Sequence, residues 1–281
     1  MAITFDDVPG TGLCNVENAL DLNQRLLQQI EAYAIPAAGF VNEGQPCGGS
    51  VLEEVLTLWL DAGHMLGNHT YAHTDINGVS LEAFIADLER GEPVTRRLLA
   101  ERGDSLRYFR HPRLHAGADS AKWHELKAYL DANDYTVAPV TIDNQEWVFE
   151  AVYRQAKQRG DTATMEQLTE AYVEHLREVV THFEGWSEKV AGYEPPQVLL
   201  LHANQINADH FGQVAAMLQE RGYAFVSLDE ALADPAYALK DGYIGPRGLS
   251  WIHRWALGKG MTEIEEEPRE PAWVADLFAS Y

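Results

Sequence analysis

The chain has 281 residues, enough for one large domain or two small ones, and its 46% hydrophobic and 23% charged content is that of a folded globular protein. Aspartate and glutamate outnumber lysine and arginine 43 to 21, for a formal charge of −22, which argues against nucleic acid or an anionic membrane as partner. No apolar run is long enough to span a bilayer and no signal peptide precedes the first strand, leaving two expectations: a periplasmic or secreted protein whose signal peptide has been removed, or a cytoplasmic one.

In chain order, residues 2–6 read as a short buried strand ending in two adjacent carboxylates, Asp6 and Asp7. Like charges side by side at the mouth of an apolar strand repel each other and resist desolvation, so a pair there needs a reason. A helical pattern over 17–33 puts Leu22, Leu26, Leu27 and Ile30 on one face. Strands are predicted at 37–41, 65–69, 106–110 and 136–142. Two consecutive helices over about 145–184 follow, with Met165, Leu168, Tyr172, Leu176, Val179 and Phe183 stepping by threes and fours; with the loop GWSEKVAGYEPP they make a helical insertion over about 145–195. Strands at 197–202 and 223–228 complete seven βα units, which predict a parallel sheet, closed as a barrel or open and doubly wound.

This pattern occupies 1–234. Residues 235–281 read as an extension, in which Trp251, Ile252, Trp255 and Leu257 form an apolar helical face for the barrel and EIEEEPREP stays on the surface. Cys14 and Cys47 each follow a strand, and both a disulfide and two free thiols remain open.

Parallel sheets of either kind carry function at the C-terminal strand ends. Those ends supply Asp6 and Asp7, His69 and His73 from NHTYAH, Arg110 and His111 from FRHPRLHAG, Asp143, Glu146 and Trp147 from TIDNQEW, and His202 from LLLHAN. The HTYAH spacing sets two imidazoles on one side of a helical turn, as metal ligands need, although His111 and His115 repeat it. A divalent ion against Asp7, His69 and His73 has one carboxylate, two imidazoles and an open position for water. Its charge removes the penalty on the acid pair, with one acid a ligand and the other a base.

The TFDD, HTYAH, FRHP, DNQEW and LLLH segments, in that order over residues 2–230, resemble the motifs of the polysaccharide deacetylase family, carbohydrate esterase family four with its NodB-type domain. The resemblance implies a distorted (β/α)7 barrel and metal-dependent removal of acetyl groups from N- or O-acetylated carbohydrate, through a metal-bound water. It further implies Asp6 as base, Asp7, His69 and His73 as ligands, Arg110 as the residue orienting the base, and His202 as acid. Either Glu146 or Asp143 would orient that acid, since the family's Asp before Trp is Glu146 here. Arg113 stands where the family often has an aromatic; its N–H would serve the oxyanion, and Trp147 borders the substrate. Zinc is the expected ion, with cobalt or nickel fitting the same set. Alternatives are a same-fold hydrolase acting on a small non-sugar substrate such as a cyclic imide, and a non-catalytic carbohydrate-binding relative.

Overall fold

The computed structural model describes residues 1–10, 16–44 and 50–280; Cys14 and Cys47, and any bridge between them, lie outside the described residues. The elements in order are β1 (Ala2–Val8), α1 (Val16–Ala32), β2 (Ala38–Val41), α2 (Ser50–Asp61), β3 (Met65–Asn68), α3 (Leu81–Arg90), α4 (Pro93–Ala100), β4 (Tyr108–Phe109) and α5 (Ser120–Ala132). They continue through β5 (Thr136–Val137), α6 (Glu146–Arg159), α7 (Thr162–Ala191), β6 (Val198–His202), α8 (Gln205–Glu220), α9 (Leu228–Leu232), α10 (Trp251–Gly258) and α11 (Ala272–Ala279).

All pairings are parallel, in the order β5-β4-β3-β2-β1-β6. The two sheet edges meet through one segment. β5 pairs with β4, and a few residues later Ile142 bridges to Leu199 of β6, so the expected strand 136–142 spans the gap in two pieces. This closes a distorted barrel on six strands instead of seven. Residues 223–228 form no strand: β1 is already paired with β2 and β6, and along that edge this segment meets Met1, through Val226 N–H to its carbonyl and the Met1 ammonium to the Ala224 carbonyl.

Alternation along β1 divides the interior. Phe5 turns outward to meet Trp59 and Phe211 edge-on, at centroid separations of 5.9 and 5.2 Å. Ala2 joins Phe40, Tyr108, Ala138 and Val198 from the other strands in a second cluster, which Leu228 and Ala231 of α9 close from below. Small residues at 2, 38 and 138 leave room for the two rings.

The insertion is more helical than expected. α7 runs to Ala191 straight through Gly185, because burying Trp186 and Val190 outweighs the roughly 1 kcal/mol that glycine costs a helix. The chain after residue 234 packs on the barrel wall: Trp251 N–H donates to Val140 at 2.7 Å, Ser250 Oγ to the Thr141 carbonyl at 2.6 Å, and Ile252 and Trp255 are buried. Leu257 is only half-buried, and the acidic stretch alternates between exposed and half-buried residues.

Gly248 in this tail lies against the turn at Arg113, where an added Cβ would stand 2.1 Å from the Arg113 carbonyl oxygen. Because that neighbour is backbone, Gly248→Ala should cost about 1–3 kcal/mol in urea unfolding. An unchanged unfolding midpoint would contradict this packing.

Candidate active site

In a regular strand, adjacent side chains point to opposite faces. Asp6 and Asp7 nonetheless share one cavity, because β1 breaks register between Phe5 and Val8 and Asp7 takes a left-handed backbone, φ 62°. Such a bulge re-aims a side chain where pairing ends. Thr70, His73, Arg113 and Leu114 also have positive φ, so among the described residues most non-glycine residues in this region of the map gather around one site. Each conformation costs on the order of 1 kcal/mol, and strain of this kind clusters at functional sites.

Arg110 lies beneath, inside the barrel and fully buried. Its Nη1 donates to Asp6 at 3.2 Å, its Nη2 to Thr4 Oγ1 at 3.1 Å and its Nε to the Ala138 carbonyl at 2.9 Å, while its guanidinium sits 4.3 Å above the Phe40 ring. Burial raises the Asp6 pKa, Arg110 and His202 lower it, and Asp7 raises it again; the result is about 6.

Asp7, His69 and His73 offer three ligand atoms within 4.8 Å of one another. Both imidazole Nε2 atoms lie 3.8 Å from Asp7 Oδ1, a buried oxygen without a hydrogen-bond partner. His69 Nδ1 is 2.9 Å from the Arg110 carbonyl, which makes it the protonated nitrogen and leaves Nε2 as a lone pair facing Asp7. An orphaned acceptor and two convergent imidazoles fit a divalent cation. The helical turn expected for HTYAH is not there. The segment is irregular, bent by left-handed Thr70 and His73 and tied down by Tyr71 N–H to the Asp87 carbonyl, and it brings the two rings to 4.9 Å.

Opposite stands His202, whose Nδ1 donates to Glu146 Oε2 at 2.6 Å. Of the two carboxylates expected as its partner, Glu146 holds this position. Asp143 lines the cavity but instead accepts from Asn144 N–H at 2.9 Å; burial, reinforced by Glu267 of the tail, raises its pKa to about 7. Burial opposes a charged His202, but Glu146, aided by Asp7 and Asp6, outweighs it and raises the imidazole to about 10. Glu146 is itself held by Asn204 and Asn207, and Tyr172 of α7 donates to Asn207 at 2.8 Å. These supporting residues escaped sequence analysis. The signal available was the HAN triplet, in which Asn204 caps α8 by accepting from Asn207 N–H.

The cavity these groups line has a volume of about 580 Å³. Arg113 and half-exposed Trp147 border it, the latter against Phe278 of α11 at 5.4 Å. Of the expected site residues, Arg110 and Glu146 lie behind the lining, His111 faces a different cavity and stacks on Trp251, and the others form part of it.

Residues 1–129 match the model of the family described as polysaccharide deacetylase. They belong to the polysaccharide deacetylase family. The matched segment contains Asp6, Asp7, His69, His73, Arg110 and Arg113, while Glu146 and His202 lie beyond it. A chitin deacetylase of Colletotrichum lindemuthianum is 29% identical over 144 residues, 48% of this chain and 52% of that protein. The chain spans about half the length of the curated relatives it matches. Among solved structures, a family 4 carbohydrate esterase from Streptomyces lividans in complex with acetate is similar at TM-score 0.50 and 18% identity, covering 82% of this chain and 94% of the other. A peptidoglycan deacetylase from Bacillus subtilis gives 0.52 and 18%, covering 83% and 90%. These structural likenesses extend the deacetylase fold past residue 129.

Replacing Glu146 by Gln removes the negative charge from His202 and leaves burial to act. In metal-free protein, the His202 pKa followed by NMR should fall by about 1–3 units from its raised value. A value still near 10 would mean that another group holds the imidazolium.

Proposed function

We propose that this protein is a metal-dependent hydrolase that removes acetyl groups from N- or O-acetylated carbohydrate. The observation that carries this reading is a buried acid on Arg110, a vacant-acceptor Asp/His/His cluster and a Glu146-held imidazole around one cavity. The chitin and peptidoglycan deacetylases among its relatives support the same class of substrate.

Asp7, His69 and His73 are the residues that would hold the ion, and zinc suits their mixed oxygen and nitrogen donors, as do cobalt and nickel. When bound, a divalent ion supplies Lewis acidity toward the acetyl carbonyl and acidifies water. Asp6 takes the proton of the attacking water as the new carbon–oxygen bond forms, and Arg110 keeps the carboxylate aimed. The Arg113 N–H, on its left-handed turn, is the donor assigned to the developing oxyanion. His202, oriented by Glu146, gives its proton to the leaving amine or alcohol as the bond to the acetyl carbon breaks. Without an ion, burial raises Asp6 to about 6 while Glu146 raises His202 to about 10, so the two groups sit in surroundings that separate an acid from a base.

A polymer of the cell-wall type is met outside the cytoplasm, which favours a periplasmic or secreted setting. Among the described residues, no helix is long and apolar enough to cross a membrane.

The test is acetate release from a panel of acetylated sugars and polymers, with a cyclic imide included, before and after treatment with a chelator. The expected result is release from at least one acetylated carbohydrate, lost with chelator and restored by added zinc, cobalt or nickel. Turnover of the imide alone, or of nothing with the ion bound, would refute the proposal.

A further inference from the structure

The chain has about two acids for every base, so its arginines are readily paired. Arg25, Arg97, Arg107, Arg221 and Arg254 each hold a carboxylate, and Arg90 lies over the Tyr71 ring. Arg113 and Arg154 differ. Neither has an ion pair or side-chain hydrogen bond among the described residues, and both line the catalytic cavity.

The acids nearest to them are committed elsewhere. Asp75, whose carboxylate the Arg113 charge helps to stabilise at a distance, is held by His115 at 2.8 Å and accepts from Asn77 N–H at 2.9 Å. Glu150, one turn before Arg154, also lines the cavity and feels the Arg154 charge, but its Oε2 accepts from Ile206 N–H at the start of α8, at 2.9 Å, and it forms no ion pair with Arg154. Within the cavity, Asp6 is bound to Arg110 and Asp7 faces the two imidazoles. Burial also holds Glu150 and Asp143 near 7, which limits the negative charge the two arginines meet.

Position along α6 adds a second element. Trp147, Ala151 and Arg154 are spaced by four and three residues and all line the cavity, so one stripe of the helix presents an exposed ring and, two turns on, a guanidinium. The separation is about 10 Å along the axis. A sugar ring stacked on Trp147 therefore has a neighbouring residue of the chain within reach of Arg154.

We propose that the site takes an acidic carbohydrate, with carboxylate substituents bound by Arg154 on one side and Arg113 on the other. This rests on the deacetylase reading and narrows it from acetylated sugars in general to those carrying carboxylates beside the acetylated residue. Guanidinium groups suit this task because their paired N–H donors match a carboxylate.

The experiment compares a β-1,4-linked N-acetylglucosamine tetramer with the same tetramer after oxidation of its C6 hydroxymethyl groups to carboxylates. For the wild-type protein, kcat/KM for acetate release should be about 10-fold or more higher with the oxidised tetramer, the scale of one charge-assisted contact. That ratio should fall as salt is raised, should fall partway in R154Q with R154K retaining more of it, and should approach unity in the R113Q/R154Q double variant. Equal or lower kcat/KM for the oxidised tetramer overturns the inference while leaving the deacetylase reading intact. If neither tetramer is hydrolysed, the deacetylase reading is what is in question, and calorimetric titration decides this one separately. Tighter binding of the oxidised tetramer by the wild type than by R154Q supports it; equal binding of both tetramers overturns it.

Discussion

A guanidinium with no access to water must be satisfied by the protein around it, and the barrel of this chain is arranged about that requirement. Arg110 is satisfied by Asp6, Thr4 and the Ala138 carbonyl, contributions from the first strand and from the segment that closes the sheet. A buried pair of this kind adds little net stability, but removing one partner leaves an uncompensated charge, at a cost of about 3–5 kcal/mol. The pair therefore fixes where Asp6 stands and draws the two edges of the sheet toward one point. The same residue's carbonyl accepts from His69, so a single position also sets which nitrogen of that imidazole faces Asp7.

From this anchor the site is built outward by departures from regular structure. The β1 bulge swings Asp7 beside Asp6, left-handed Thr70 and His73 fold two imidazoles toward it, and left-handed Arg113 and Leu114 border the same space. Regular elements supply the opposite wall. Glu146 at the start of α6, Asn204 at the cap of α8 and Tyr172 of α7 hold one another and His202, so the helical insertion supports the imidazole as well as the core. Strain on one side and a hydrogen-bond network on the other give two acids and two kinds of histidine different environments.

What could be read from the sequence follows this division. The strand cores and the faces of α1 and α7 were legible because hydrophobic periodicity reports burial directly. The acidic pair and the histidines were legible because their chemistry is unusual at strand ends. The bulge at Asp7 left no trace in residue type, since strict alternation would have sent the two acids to opposite faces. The irregular path of HTYAH was hidden for the same reason. Glu146 and Asp143 could not be told apart by spacing, because the choice depends on Asn204 and Asn207, brought in from a distant segment. The seventh strand failed on competition, its apolar run being adequate but its place beside β1 already taken. Gly185 marked no helix end, because propensity yields to the burial of Trp186.

The central claim is that two neighbouring acids do separate work, Asp7 holding an ion and Asp6 moving a proton. The most direct measurement is ion content by elemental analysis together with acetate release in the paired variants Asp6→Asn and Asp7→Asn, both checked for folding by circular dichroism. The account predicts that Asp6→Asn keeps its ion and loses on the order of 10²–10⁴ in rate, whereas Asp7→Asn loses the ion and the activity together. Near wild-type turnover in the first variant, or full ion content in the second, would contradict it.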